Sequence, residues 1–336
     1  MKIQPILFFA ALLTSSLTYA SVVIRVGTIA PEGTPWEAQL TRTRTRVEKE
    51  SGGAIQVKAY FGGQKGDEPS LFRQCRAGQL EVVGGSTAAL ATLVPELQVL
   101  ELPFLFASME EADHVFDHFL YEPVSKILKN YGFVLYQWAE NGWMNFGMRG
   151  KFIRTPQDLV GLRVSSQEAA AHVATWRGYG AAPIEMGSSE VLQSVKTGLV
   201  HGFAQTPLFT FAAGWHQGID HYTVSKHMYQ PSLIVYSKQF FEKQSAAHQR
   251  IMMANVEEDT RLGRDGVRRL APGLLKNFKA YGIKVHELTE HERAAFMPIA
   301  LKVQRDFLKV ASPGARALYD KVQQGKRQYQ NIRKSS

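Results

Sequence analysis

Apolar and polar positions along the chain switch repeatedly between a period of two and a period near three and a half. VVIRVGTIA (22–30) alternates as a strand. After the PEG turn, Thr34-Pro35-Trp36-Glu37 opens a helix with an N-cap threonine, proline at the first helical position and a glutamate to close a capping box. That helix stops at Ser51-Gly52-Gly53. AIQVKAYF (54–61) is a second strand, SLFRQCRAG a helix, and EVVGG (81–85) a third strand that runs through GGST (84–87) into another helix. The order β-α-β-α-β predicts a parallel sheet covered by helices.

The alternation then lapses and restarts. VLELPFLF (99–106) is an apolar run broken by Pro103, and MEEADHVFDHFL is helical. FVLYQWAE (133–140) is a strand, and NGWMNFGMRGKF a strand-turn crossing bent at Asn141-Gly142. GLRVSS, AAPIEM and LVHGFAQT (199–206) are strands separated by helices, one of them capped by Ser188 or Ser189. HMYQPSLIVYSKQFF returns to strand and then helix. A long helix is expected over roughly 246–279, with Pro272-Gly273 as a bend. Two α/β units divided near residue 142 imply a cleft, and clefts of this kind take small molecules.

The chain has 336 residues, 45% of them hydrophobic and 21% charged, enough for two domains with real cores. MKIQPILFFAALLTSSLTYA carries Lys2, an apolar stretch and a small-residue end, the form of a signal peptide (1–20) cleaved near Ala20. Its apolar stretch is too short to span a bilayer. The expected location is the periplasm. Cys75 is the only cysteine, so no internal disulfide forms, and its helical context reads as structural. The formal charge of +9 is partly local, in RTRTRVEK and in the tail KRQYQNIRKSS. Arg42, Arg44 and Arg46 wrap around their helix without forming a stripe, and no aromatic-interleaved basic groove points to nucleic acid.

No HExxH, CxxC, GxGxxG, GxSxG or phosphate-loop motif occurs, and no nucleophile, acid–base pair or cofactor motif converges, so no enzyme activity and no cofactor are expected. GGST offers amides to an anion or polar group, against the plainer reading of a tight turn. Glu111, His114 and His118 share a helix face, but Asp113 and Asp117 flank them and no fourth ligand exists. A solvated face is the simpler reading, and no metal is expected. In GLRVSSQ (161–167), alternation puts Arg163, Ser165 and Gln167 on one side of the strand. Aromatic and methionine side chains gather at expected strand ends: Trp143, Met144, Phe146, Phe203, Phe209, Phe211 and Trp215.

Taken in order, GTIAPEGTPWEAQ, SGGAIQVKAYFGGQKGDEPSLFRQCRAGQLEVV, PELQVLELPFLF, TPQDLVGLRV and GAAPIEMGSSEVLQSVKTGLVHG resemble the DctP-type solute-binding proteins of tripartite ATP-independent periplasmic (TRAP) transporters. The resemblance covers nearly the whole chain after residue 20. It implies an α/β, two-lobed periplasmic binding protein fold with a hinge, a bridging long helix and an inter-lobe ligand cleft. Lobe I would hold 23–141 plus 231–270, lobe II 142–230 plus 271–325, and 326–336 would be a basic tail. It also implies capture of a small-molecule ligand for TRAP-type membrane permease subunits, without catalysis. A helical-repeat periplasmic partner, or a non-transport sensor on the same fold, is the alternative.

The family grips carboxylates with arginine, a guanidinium fork meeting two oxygens. Here the sequence departs. The family arginine of the K-x-R-V segment falls on Ser165, with Arg163 in the place of its lysine, and Met144 stands where a second arginine is common. The ligand-binding set expected from this comparison is Trp36, Ser86, Thr87, Trp143, Met144, Asn145, Ser165, Gln205, Phe203, Phe209 and Trp215. Because an unpaired buried carboxylate is costly, the ligand is expected to be neutral or largely apolar. The alternative is an organic acid held by a relocated arginine such as Arg163, with Arg149 and Arg177 as weaker replacements.

Overall fold

The computed structural model describes residues 21–335; the segment expected to be a signal peptide lies outside the described residues. Nine strands form one mixed sheet: β1 (Val22–Gly27), β2 (Ile55–Tyr60), β3 (Val82–Ser86), β4 (Phe133–Met148), β5 (Arg163–Ser166), β6 (Ala182–Glu185), β7 (Gly202–Gln205), β8 (His221–Ser237) and β9 (Lys284–Glu287). Their order is β2-β1-β3-β8-β4-β7-β5-β6, with β9 also on β8. β1 pairs in parallel with β2 and β3, and β5 in parallel with β6 and β7. These are the two expected α/β units, each with helices over its strands.

The two units meet through β4 and β8, antiparallel partners along almost their whole length. β3 joins β8 at Ser232–Tyr236, and β7 joins β4 at Asn145–Met148. Between these joints the ladder narrows to two strands. There the register slips between Glu140 and Gly142 and again between Met144 and Phe146. Gly142 has φ +101°, a conformation that glycine adopts without strain. The expected bend at 141–142 is therefore a bulge within one continuous strand.

Among the described residues, four hydrophobic clusters form the core. Two cover the faces of the β2-β1-β3 unit; the other two, around Phe146 and Phe203, belong to the β7-β5-β6 unit. Phe104, at φ +53°, crosses from the first unit to pack in the Phe146 cluster.

Several local expectations are corrected. The Thr34 hydroxyl donates to the Pro31 carbonyl rather than capping its helix, and Glu37 accepts from the Gly33 N–H instead. Gly187, not Ser188 or Ser189, is the N-cap of helix Ser188–Lys196, with Glu190 accepting from its N–H. The helix expected over 246–279 is two, Ala246–Met252 and Val256–Ala280, separated by Asn255 in the left-handed region; Pro272 lies within the second without ending it. That second helix runs beside the crossing strand β4 and touches helix Pro35–Glu50 as well as helix Pro207–Ala212 and β9, so it spans both units. The run around Leu100 is a 3-10 turn, Pro95–Glu101.

Residues 313–325, expected with lobe II, pack against the first unit. Ala315, Leu318 and Val322 join its core, and Gly325 sits against Phe119 and Val115. The expected basic tail continues the same helix to Ser335, with Lys326 part-buried over the Phe106 ring and bonded to the Leu105 carbonyl.

Candidate functional site

One cavity lies where the two units face each other, with about 1180 Å³ of free space when its mouth is included. The first unit contributes the β1 exit (Thr28 to Thr34), Trp36, the start of helix Glu68–Arg76, and Gly85-Ser86. The crossing strands contribute Asn141, Met144 and Gln230. The second unit contributes Ser165 to Glu168, His172, Trp176, Gly187-Ser188 and the β7 exit from Ala204 to Phe209, with Trp215. Strand ends and helix starts dominate this wall, because in parallel α/β units they open onto the crevice.

The positions expected from sequence divide into two groups. Trp36, Ser86, Met144, Ser165, Gln205, Phe209 and Trp215 line the cavity. Thr87, Trp143, Asn145, Phe203 and Arg163 do not. Thr87 is fully buried and donates to Glu101 and to the Pro231 carbonyl. Trp143 packs on Tyr229 in the first unit's core. Asn145 holds the backbone, donating to the Trp143 carbonyl and accepting from the Lys226 N–H. Phe203 lies behind Trp215, ring centroids 5.0 Å apart. Strand alternation explains Trp143, Asn145 and Phe203: each is next to a cavity-lining strand residue, Met144 or Ala204, and points into the layer behind it.

Arg163 is exposed at the opposite end of β5 from the cavity. Its Nε donates to the Leu199 carbonyl at 2.8 Å and its Nη2 to Gly198 at 2.9 Å. Arg149 donates to the carbonyls of Val195 and Lys196. Both guanidinium groups therefore satisfy carbonyls at and beyond the end of helix Ser188–Lys196, where unpaired acceptors and the negative end of the helix dipole attract cations. Arg177 does not line the cavity either. Among the described residues no lysine or arginine lines it.

Acidic and neutral polar groups take that space. Part-buried Glu68, at the first position of its helix, turns its carboxyl inward. Oε1 accepts from the Ser86 N–H at 2.8 Å and Oε2 from the Ser86 hydroxyl at 2.7 Å. The GGST amide expected to meet an anion thus meets the protein's own carboxylate. Burial pushes the Glu68 carboxyl up to about 7, against the pull of the two Ser86 donors, with Glu101 and Asp67 adding repulsion. Gly85 leaves room for this carboxyl: a Cβ there would stand 2.7 Å from Glu68 Oε1 and displace it.

Four amide or hydroxyl groups on the wall have no hydrogen-bond partner among the described residues: Ser165 Oγ, Gln205 Nε2, Gln167 Nε2 and Asn141 Oδ1. The other ends of the three amides are fixed. Gln205 Oε1 accepts from the Thr206 N–H, Gln167 Oε1 from Gln230, and Asn141 Nδ2 donates to Gln230. Their free ends are thereby oriented. Trp36, Trp215, Phe209 and Trp176 supply aromatic faces around them.

Sequence reasoning did not select Glu68, His172, Gln230 or Asn141. Glu68 follows an N-cap aspartate and reads as an ordinary first-turn acid; only its register against Ser86 reveals the role. Gln167 shared the predicted face of Ser165 and was legible by that alternation. In the Glu111, His114, His118 group, Glu111 accepts from the Ala107 N–H and His114 bonds Gln328. Among the described residues no cluster of three or more His, Cys, Asp or Glu is arranged to hold a metal ion.

The sequence pattern of one family, described as bacterial extracellular solute-binding protein family 7 (DctP), matches residues 26–309. The chain belongs to the DctP family. A solute-binding protein of Verminephrobacter eiseniae is 27% identical over 267 residues, 79% of this chain and 80% of that one. The crystal structure of the sugar acid binding protein DctPAm from Advenella mimigardefordensis, in complex with galactonate, superposes with a TM-score of 0.84 at 24% identity, covering 91% of this chain and 99% of that one. A TRAP periplasmic solute-binding protein from Chromohalobacter salexigens, with bound D-glucuronate, superposes with a TM-score of 0.85 at 22% identity, covering 90% and 99%.

The fold is thus the two-lobed α/β periplasmic binding protein fold of TRAP solute-binding proteins, with the two units joined at the β4–β8 crossing and the cavity between them. As a DctP-family protein the chain binds a small molecule for a membrane permease and is not an enzyme. The family is periplasmic, and among the described residues no helix is long and apolar enough to cross a membrane.

Proposed function

We propose that this DctP-family protein captures a polyhydroxylated organic acid, of the sugar-acid type, in the inter-lobe cavity and hands it to a TRAP permease. The observation that carries this reading is the wall itself. Oriented amide and hydroxyl groups at Asn141, Ser165, Gln167 and Gln205 match a ligand with many hydroxyls, and Trp36, Phe209 and Trp215 match the C–H faces of such a ligand. Galactonate and D-glucuronate in the related structures support an acid. A neutral or largely apolar ligand, the primary expectation from the missing arginines, has less support. The organic-acid alternative gains, but without Arg163, whose guanidinium is committed to Gly198 and Leu199.

The acid end of such a ligand meets donors other than a guanidinium. Glu68 in its protonated form is one, and the open amides at the start of helix Ser188–Lys196 are others. We further assign lobe I to 23–141, 231–270 and 313–335, and lobe II to 142–230 and 271–312. Calorimetric titration with D-galactonate, D-glucuronate, succinate and D-galactose tests the reading. Binding of the two sugar acids with weak or absent binding of galactose supports it. Binding of galactose with none of the acids overturns it.

A further inference from the structure

Carboxylates buried in this protein are matched by basic nitrogens. Arg25 meets Glu81, Arg268 meets Glu140, and His172 Nε2 lies 2.7 Å from Glu101. Lys326 lies 3.8 Å from Glu111 and Arg46 3.9 Å from Asp259. Glu81, Glu101, Glu111, Glu140 and Asp259 are the buried acids among the described residues, so each of them has such a partner. Glu68, part-buried on the cavity wall, departs from this pattern. Its oxygens receive the Ser86 hydroxyl and N–H, and among the described residues no lysine, arginine or histidine bonds it. Its charged neighbours are acids: Asp67 on its own turn and Glu101 on the turn Pro95–Glu101. Asp67 and, from the second unit, Glu168 line the cavity with it, and His172 there is bonded to Glu101.

A ligand with negative charge alone enters this wall against repulsion from three carboxyl groups. A ligand that also bears an ammonium group meets a carboxylate with a charged donor, the strong class of hydrogen bond, in a place partly screened from water. The indole faces of Trp36, Trp176 and Trp215, which line the same cavity, are surfaces that accept cations. We propose that the ligand carries a protonated amine beside its hydroxyls and its acid group, as an amino sugar acid does, and that Glu68 receives this amine as an ion pair. The proposal rests on the sugar-acid reading and narrows it. The acid end then falls to the amides at the start of helix Ser188–Lys196 on the second unit, and Glu68 takes the opposite charge.

Titration calorimetry with three probes tests this: D-glucosaminate, D-gluconate, which has a hydroxyl in place of the amine, and D-glucosamine, which lacks the acid. D-Glucosaminate should bind about tenfold tighter than D-gluconate, the scale of one hydrogen bond between charged groups. Burial, with Glu101 and Asp67, holds the Glu68 proton up to about pH 7. An ammonium beside the carboxyl lowers that value, so D-glucosaminate binding at about pH 6 should release about one proton to solvent. The release is read from binding heats in buffers of different ionisation heat, and D-gluconate should show none. Glu68→Gln, confirmed as folded by its melting curve, should lose both the preference and the release. D-Gluconate binding as tightly as D-glucosaminate to the wild-type protein overturns the amine and leaves the sugar-acid reading intact. A preference that persists in folded Glu68→Gln overturns the role of Glu68. Binding of D-glucosamine with neither acid upholds the amine and removes the sugar-acid reading. Binding of none of the three removes both.

Discussion

Two carboxylates, buried Glu140 on the crossing strand and part-buried Glu68 on the cavity wall, are satisfied in opposite ways. Glu140 receives the Arg268 guanidinium at 3.0–3.1 Å and the Tyr229 hydroxyl at 2.9 Å. Arg268 also forks onto Asp113, and Arg264 onto Asp117, so the bridging helix Val256–Ala280 is bolted to lobe I by paired ions. Glu68 has only the hydroxyl and N–H of Ser86. Where geometry must stay fixed, charge is answered by charge. On the cavity wall, the carboxyl is held by neutral donors. The same division applies to the cations: Arg149, Arg163, Arg264 and Arg268 all serve the frame, and none of them lines the cavity.

Breaking the fixed side should cost most. Arg268→Ala strands Glu140 and should lower stability by about 3–5 kcal/mol, read by urea unfolding. Gly84→Ala would press a methyl group to 2.9 Å from the Trp36 ring. It should cost about 1–3 kcal/mol as overpacking and reshape the cavity wall, visible as a fall in both melting temperature and ligand affinity. On the cavity side, Ser165→Ala and Gln205→Ala should each weaken sugar-acid binding by about 0.5–1.5 kcal/mol with the melting temperature nearly unchanged, measured by calorimetric titration.

The Glu68 proton gives a pH signature. Its folded-state value, about 7, lies above the ordinary 4.5. Its contribution to stability is therefore complete below the ordinary value and is lost as pH rises through about 7. Glu68→Gln should flatten that part of the stability–pH curve, and a wild-type slope that persists in the variant would show that another group titrates there. The smallest effect is expected from Arg163→Ala, about 0.3–1 kcal/mol of stability through a lost helix-end contact, with ligand affinity unchanged.

Much of the fold was legible. Strand alternation at 22–30, 54–61 and 81–85, the restart after residue 142 and the motif PELQVLELPFLF led to two α/β units and to the DctP family. Helix ends were read less well: Glu37 caps Gly33 rather than Thr34, and Gly187 displaces Ser188, because several small polar residues compete for one cap and only tertiary position chooses. Seven of the expected residues line the cavity; Ser86, Ser165 and Gln205 do so from the ends of strands, and Trp36, Phe209 and Trp215 from helices that follow them. Trp143, Asn145 and Phe203 were misplaced by a single position of the pleat, and Thr87, the first residue of helix Thr87–Ala91, turns into the core. Whether Arg163 reaches the cavity was not legible, because its partners, two carbonyls 35 and 36 residues away, are set by how β5 and helix Ser188–Lys196 pack. Glu68 and His172 are bonded to partners from other elements, Ser86 and Glu101, which no local pattern announces.

The most direct test is calorimetric titration of D-galactonate and D-glucuronate into the wild-type protein and Arg163→Ala side by side. Saturable binding of at least one sugar acid, with equal affinity in the two proteins, is the expected result. Binding that disappears in Arg163→Ala would return the carboxylate to an arginine and contradict a cavity that holds its acid without one.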